Sequence, residues 1–193
     1  MSGALRALGL IALALVGCAT APPAAPPRGP ARAVDFFPMR AGMAWSYDTE
    51  TGIGGDTVLN VLSVEGVDGE AFVVRSGTRR ERYERRPEGV LREGEYILRE
   101  PLRAGTSWEA DGGGRVEIRS VEASRRVGDQ QYREVVEVHR SSPRSRIETT
   151  TWYARDVGAI EIVGETVSSI GGRLRVRSTL RGYTRGDDAE GSR

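Results

Sequence analysis

Arg173-Leu174-Arg175-Val176-Arg177 alternates arginine with aliphatic residues and runs on through Ser178, Thr179 and Leu180. Successive side chains of an extended strand point to opposite faces, so this stretch buries one face and sets a guanidinium ladder in water on the other. A helix would scatter the same residues around its circumference. Arg115-Val116-Glu117-Ile118-Arg119 has the same period. Residues 58–64, 71–75, 96–99, 132–139, 147–153 and 159–163 are rich in Val, Ile, Tyr and Thr and read as further strands. Gly54-Gly55, Asp68-Gly69, Gly112-Gly113-Gly114, Gly128-Asp129 and Gly171-Gly172 supply the turns between them. No stretch after Ala33 carries a helical period. The predicted fold is all-β.

A repeat subdivides the β region. Pro38-Met39-Arg40-Ala41-Gly42-Met43-Ala44-Trp45 returns as Pro101-Leu102-Arg103-Ala104-Gly105-Thr106-Ser107-Trp108. Ser63-Val64-Glu65 is answered by Ser120-Val121-Glu122, and Tyr83, Arg85 and Gly89 by Tyr153, Arg155 and Gly158. Two related meander halves, about 37–100 and 101–165, are expected to form a curved antiparallel sheet or half-barrel closed by the last strand. Each motif stops a strand with proline, turns at glycine and sends tryptophan inward, so the two rings are expected to plug one end of the curved sheet.

Upstream of the motif, Ala7 to Val16 form an apolar run behind Arg6, and Leu15-Val16-Gly17-Cys18 ends it in the only cysteine. Ten helical residues rise about 15 Å, half of what a spanning helix needs. The run therefore reads as the h-region of an export signal. Its last four residues resemble the bacterial lipobox, which implies diacylglycerol on Cys18 and cleavage of residues 1–17. Residues 18–33 then form a lipidated, Pro/Ala-rich tether, disordered and biased to polyproline II. Residues 34–183 make the β domain and 184–193 a disordered tail.

The Pro-aliphatic-x-x-Gly-x-x-Trp motif after such a tether, its mid-chain return, and Trp152-Tyr153-Ala154 leading to Val157-Gly158 together resemble a group of bacterial lipoproteins of unknown function. The resemblance implies a curved all-β domain in the cell envelope and carries no active site. Ala19 in place of Asp after the cysteine points to the outer membrane, with the domain facing the periplasm.

Composition excludes several chemistries. All 28 basic residues are arginine, which removes P-loop, Schiff-base and Ser-Lys mechanisms. With Cys18 taken by lipid, no thiol remains for catalysis, a disulfide or a metal site. A formal net charge of +1 offers no field for nucleic acid. His139 is the sole histidine and sits in a strand pattern with neither a nucleophile elbow nor a second ligand near it. No metal and no cofactor are expected. Glu161 and Glu165, near the Trp-Tyr segment, are the acids a hydrolase would use; paired to arginine on a wet face, they do no chemistry.

Two groups of residues are left for binding. Trp45, Tyr47, Trp108, Trp152 and Tyr153 either fill the core or line a cleft for an apolar ligand. Arg79, Arg80, Arg82, Arg85 and Arg86 either meet anionic lipid headgroups or, interleaved with Glu81 and Glu84, form a solvated strand face. The expected function is a membrane-anchored, non-catalytic binding or assembly module with an envelope protein partner. A carrier of an apolar ligand such as a lipid chain is the alternative, and an acid-dependent hydrolase the third.

Overall fold

In the computed structural model, which describes residues 29–52, 55–143, 146–167 and 172–186, the arginine ladder at 173–177 opens the last strand. Cys18, the residues expected to form the signal and the tether up to residue 28, the turn glycines Gly54 and Gly171, and residues 187–193 lie outside the described residues. Twelve strands follow one another: β1 (Met43–Thr51), β2 (Thr57–Asp68), β3 (Ala71–Ser76), β4 (Arg79–Arg86), β5 (Gly89–Arg92), β6 (Glu95–Arg99), β7 (Ser107–Ala110), β8 (Gly114–Val127), β9 (Gln130–Ser142), β10 (Ile147–Ala154), β11 (Gly158–Val167) and β12 (Arg173–Arg185). The fold is all-β, as the period-two pattern predicts.

Their spatial order is β6-β5-β4-β3-β2-β1-β12-β11-β10-β9-β8-β7. Each run of six is an up-and-down meander, and the two join where β1 pairs antiparallel with β12, Met43 opposite Arg185 and Thr51 opposite Val176. β12 is thus the sixth strand of the second meander, which reaches Arg185 instead of stopping near Glu165. Thr184 continues the pairing: its Oγ1 accepts the Ala44 N–H at 3.0 Å, so the strand outruns the expected boundary at Tyr183. The remaining edges, β6 and β7, are neighbours in sequence, and the sheet curls until they meet. The result is a nearly closed barrel with one seam.

Both copies of the sequence motif make the same turn. The Met43 N–H donates to the Arg40 carbonyl at 3.1 Å, and the Thr106 N–H donates to the Arg103 carbonyl at 3.1 Å. Gly42 and Gly105 take φ of 76° and 86°, the left-handed value a type II turn requires at its third residue. Trp45 and Trp108 then enter β1 and β7, both buried.

One end of the barrel is plugged, though by another segment than the two tryptophan rings. A 3-10 turn at Ala33–Phe36 carries Ala33, Phe36, Phe37 and Met39 into the core. The folded part therefore begins before Val34, because a short apolar cluster here covers ends of strands that would otherwise face water. Phe37 sits at its centre, stacked on Tyr83 at 5.2 Å and on Trp45 at 5.8 Å, with Tyr153 edge-on at 6.2 Å. Polar bonds bolt the plug to both meanders: Ala33 N–H to Glu100 Oε1 at 2.6 Å, Asp156 N–H to the Asp35 carbonyl at 2.8 Å, and Arg155 to the Asp35 carboxylate at 3.2 Å.

Candidate functional site

Behind the plug the barrel is hollow. A cavity of about 460 Å³ lies between the two meanders, within the usual range for small-molecule sites. Its floor is Phe37; Tyr47, Tyr83, Tyr153, Ile97, Val138 and Ile162 form much of its wall, contributed by β1, β4, β10, β6, β9 and β11. Inward-facing residues of a strand recur every second position, so each strand offers one or two of these side chains at the same height. The hydroxyls are tied down. Tyr47 donates to the Ala159 carbonyl at 2.8 Å and Tyr83 to Glu81 Oε2 at 3.2 Å. Burial pushes the pKa values of Tyr47, Tyr83 and Tyr153 above the ordinary tyrosine value, so the phenols stay neutral.

The mouth faces away from the plug and is polar. Arg79, Arg92 and Arg140 line it, with Ser76, Glu81, Thr149 and Thr151. Arg140 is held by Glu95 (NH1 to Oε2 2.5 Å, NH2 to Oε1 2.9 Å), and Arg79 pairs with Glu81 at 3.2 Å. Arg92, beside the Tyr83 hydroxyl, forms no ion pair with a carboxylate among the described residues. The rim is uneven. β3 pairs with β2 only from Leu62 onward, so Thr57 to Val61 stand above it, and Val58, Leu59 and Val61 are about half exposed there.

Glu95 also closes the seam. Its Oε1 accepts the Asp111 N–H as well as Arg140, while Trp108 donates Nε1–H to the Tyr96 carbonyl at 3.0 Å. β6 and β7 are therefore held by side chains where other neighbours share a backbone ladder. The surroundings set the state of Glu95: desolvation alone would raise its pKa, but Arg140 and the Asp111 amide hold the carboxyl below the usual carboxylate value.

The five aromatic candidates separate. Tyr47 and Tyr153 line the cavity. Trp45 is core, its Nε1–H donated to the Val157 carbonyl at 2.6 Å, and Trp108 belongs to the seam. Trp152 lies on the outer face of β10 with the Arg125 guanidinium 4.0 Å from its ring centre. Arg125 also reaches Glu161 at 3.0 Å, and Arg177 reaches the same carboxylate at 2.5 Å, so the long β8–β9 hairpin is pinned over the outside of the sheet.

The basic run of β4 separates too. Arg80 shares Glu65 with Arg75, and Arg82 and Arg86 share Glu84. Arg80, Arg82 and Arg86 thus form a solvated, charge-compensated face. Arg85 points elsewhere: it lies 4.5 Å above the Phe72 ring and donates to the Met39 carbonyl of the plug. The acids proposed for hydrolysis are both engaged, Glu161 as above and Glu165 with Arg175 at 3.5 Å. Four residues apart on one strand, they stand about 13 Å from each other, outside the roughly 5–9.5 Å that paired-carboxylate hydrolysis uses. His139 Nδ1 contacts Thr150 Oγ1 at 3.1 Å across the β9–β10 pair, and burial and then Arg119 lower its pKa.

Sequence reasoning missed Phe37, Tyr83, Tyr96, Arg92, Arg140 and Glu95 as a set. Tyr83 was visible only as an echo of Tyr153, and β5, four residues long, carries too short a pattern to place Arg92.

No family model and no curated protein sequence matches the chain. Among solved structures, a Bacteroides fragilis protein described as exported, with a YmcC-like fold, is similar at 11% identity and a TM-score of 0.42, over 77% of this chain and 98% of that one. A Parabacteroides distasonis protein described as a lipoprotein is similar at 12% identity and a TM-score of 0.38, over the same 77% and 98%.

Proposed function

We propose that this chain is an envelope lipoprotein, anchored through Cys18, whose barrel binds a small amphipathic ligand without catalysing its conversion. The observation that carries the reading is the cavity of about 460 Å³, floored by the Phe37 plug and open at the other end through a polar mouth. Eight strands make a barrel that side chains just fill, and a twelve-stranded one is wider, so its interior leaves room for a ligand. The wall offers aromatic and aliphatic surface for an apolar body, and the mouth offers hydrogen-bonding groups that would fix its orientation.

The tether enters at the plugged end, where the Gly29 carbonyl accepts from Arg155 at 3.3 Å. The mouth thus opens away from the point of attachment. Native mass spectrometry of protein extracted gently from membranes tests the reading: the expected spectrum carries a co-purifying amphiphile at unit stoichiometry, released by Phe37→Ala or by a bulky Thr151→Trp in the wall. Protein that arrives empty and takes up no amphiphile would overturn it.

Assembly with an envelope protein has its own observation. Val58, Leu59, Val61, Ile147 and Val167, all on strand ends at the mouth side, are 44–54% exposed, and apolar side chains gathered at one end of a molecule mark contact surfaces. Photo-crosslinkers at Leu59 and Val61 are expected to trap a single partner in cells, and a smear equal to that from the outer arginine face would count against assembly.

A further inference from the structure

From the mouth of the cavity we infer that the ligand carries an anionic head, a carboxylate or a phosphate ester, and that Arg92 is the residue that receives it. This rests on the cavity being a binding site. Arg140 is already neutralised by two contacts to Glu95, and Arg79 by Glu81. Arg92 lines the same cavity with no carboxylate within ion-pair distance among the described residues. Its interaction partners are the Tyr83 and Tyr153 hydroxyls and, beyond ion-pair distance, the Glu81 and Glu95 carboxylates, each already paired with another arginine, Arg79 and Arg140 respectively. The two tyrosines are neutral phenols that cannot neutralise the guanidinium, and the Tyr83 O–H is already donated to Glu81.

The placement is specific. Arg92 ends β5 directly opposite Tyr83, which stacks on the plug residue Phe37, so the cation stands between the aromatic floor and the solvent. An amphiphile entering tail first would rest its apolar body on Phe37, Tyr47 and Tyr153 and bring its head level with Arg92. Arg92 is exposed at the mouth, and its guanidinium can bind carboxylate or phosphate through paired N–H donors, charge-assisted bonds about twice as strong as neutral ones. A neutral head at the same height would leave the guanidinium unmatched.

The test uses the full chain carrying Cys18→Ala, which leaves every barrel residue in place, titrated calorimetrically with decanoate, decyl phosphate and decanol. Decanoate and decyl phosphate are expected to bind about tenfold or more tighter than decanol. Arg92→Gln should erase that preference while decanol binding persists, which also reports that the variant is folded. Arg92→Lys should keep much of the preference, and Arg80→Gln, on the outer face and paired with Glu65, should leave it unchanged. Decanol binding as tightly as the two anions, or Arg92→Gln keeping the preference, would overturn the assignment of the head while leaving the cavity reading intact. No binding by any of the three would overturn the cavity reading itself. Inorganic phosphate displacing decyl phosphate at equal concentration would show that the head binds alone and that the apolar wall contributes nothing, which also overturns the proposal.

Discussion

The indole N–H of Trp108 on β7 donates to the main-chain carbonyl of Tyr96 on β6 at 3.0 Å, and this one side chain bridges the two edges of the sheet. The corresponding partner of the motif, Trp45, spends its N–H on the Val157 carbonyl at 2.6 Å, inside a region where β1 is paired on both sides. The same residue in the same motif thus has two duties: one ring fills the core, and the other closes the barrel.

Trp108→Phe keeps most of the ring volume and removes the bond across the seam. A loss of about 1 kcal/mol is expected in urea unfolding. The more informative readout is hydrogen exchange: amides of β6 and β7 should exchange faster while those of β1 and β12 keep their protection. Uniform acceleration over all four strands would show that the seam opens only with the whole barrel.

The seam should also be acid-sensitive. The folded pKa of Glu95 lies below its unfolded value of 4.5, since Arg140 and the Asp111 amide outweigh desolvation. The carboxylate's contribution is therefore complete above that unfolded value and is lost as pH falls through the lower folded one. Glu95→Gln is expected to be less stable than wild type near neutrality and to lose less of its stability between pH about 5 and about 3. Parallel pH profiles for the two proteins would remove Glu95 from the account.

Phe36→Ala empties a fully buried site in the plug, at an expected cost of about 3–5 kcal/mol. The plug is part of the fold, so a chain beginning at Gly29 should melt like the longer protein and one beginning at Pro38 should not. Equal melting of the two truncations would show that residues 29–37 are dispensable.

Glu161 and Glu165 on β11 should respond very differently to replacement. The Glu161 side chain is 4% exposed and holds both Arg125 and Arg177, so Glu161→Ala leaves a guanidinium half-buried against Trp152 and should cost about 3 kcal/mol. Glu165 is 43% exposed and its single pair with Arg175 is 3.5 Å long, so Glu165→Ala should cost less than about 1 kcal/mol. Denaturation midpoints of the two variants check the ranking, and equal losses would contradict it.

Cys18→Ala should move the protein from the membrane fraction to the soluble fraction and abolish labelling by a palmitate analogue. Unchanged membrane association would require another anchor.

The strand ladder at Arg173 to Arg177 was legible because alternation is a local property: every second residue shares a face whatever the strand pairs with. The turns at Asp68-Gly69 and Gly128-Asp129, and the glycine turn before each tryptophan, were legible for the same reason, since backbone angles there depend on residues next to one another. Residues such as Arg92 were not. Nothing in the four residues of β5 tells which way the guanidinium points or that two tyrosines from strands β4 and β10 stand beside it.

By itself, then, the amino-acid sequence determined the β class, the turns at Asp68-Gly69 and Gly128-Asp129, the two motif copies and the expected export-and-lipidation signal, all of which follow from neighbouring residues. Only the tertiary structure decided that β1 pairs with β12, that residues 33–39 plug one end, that β6 and β7 meet through side chains, and that a cavity with one arginine lacking a carboxylate partner among the described residues remains inside. The β1–β12 pairing and the plug join residues more than one hundred positions apart, such as Met43 with Arg185 and Asp35 with Arg155, and the seam joins two edges close in sequence that meet only once the sheet has curled.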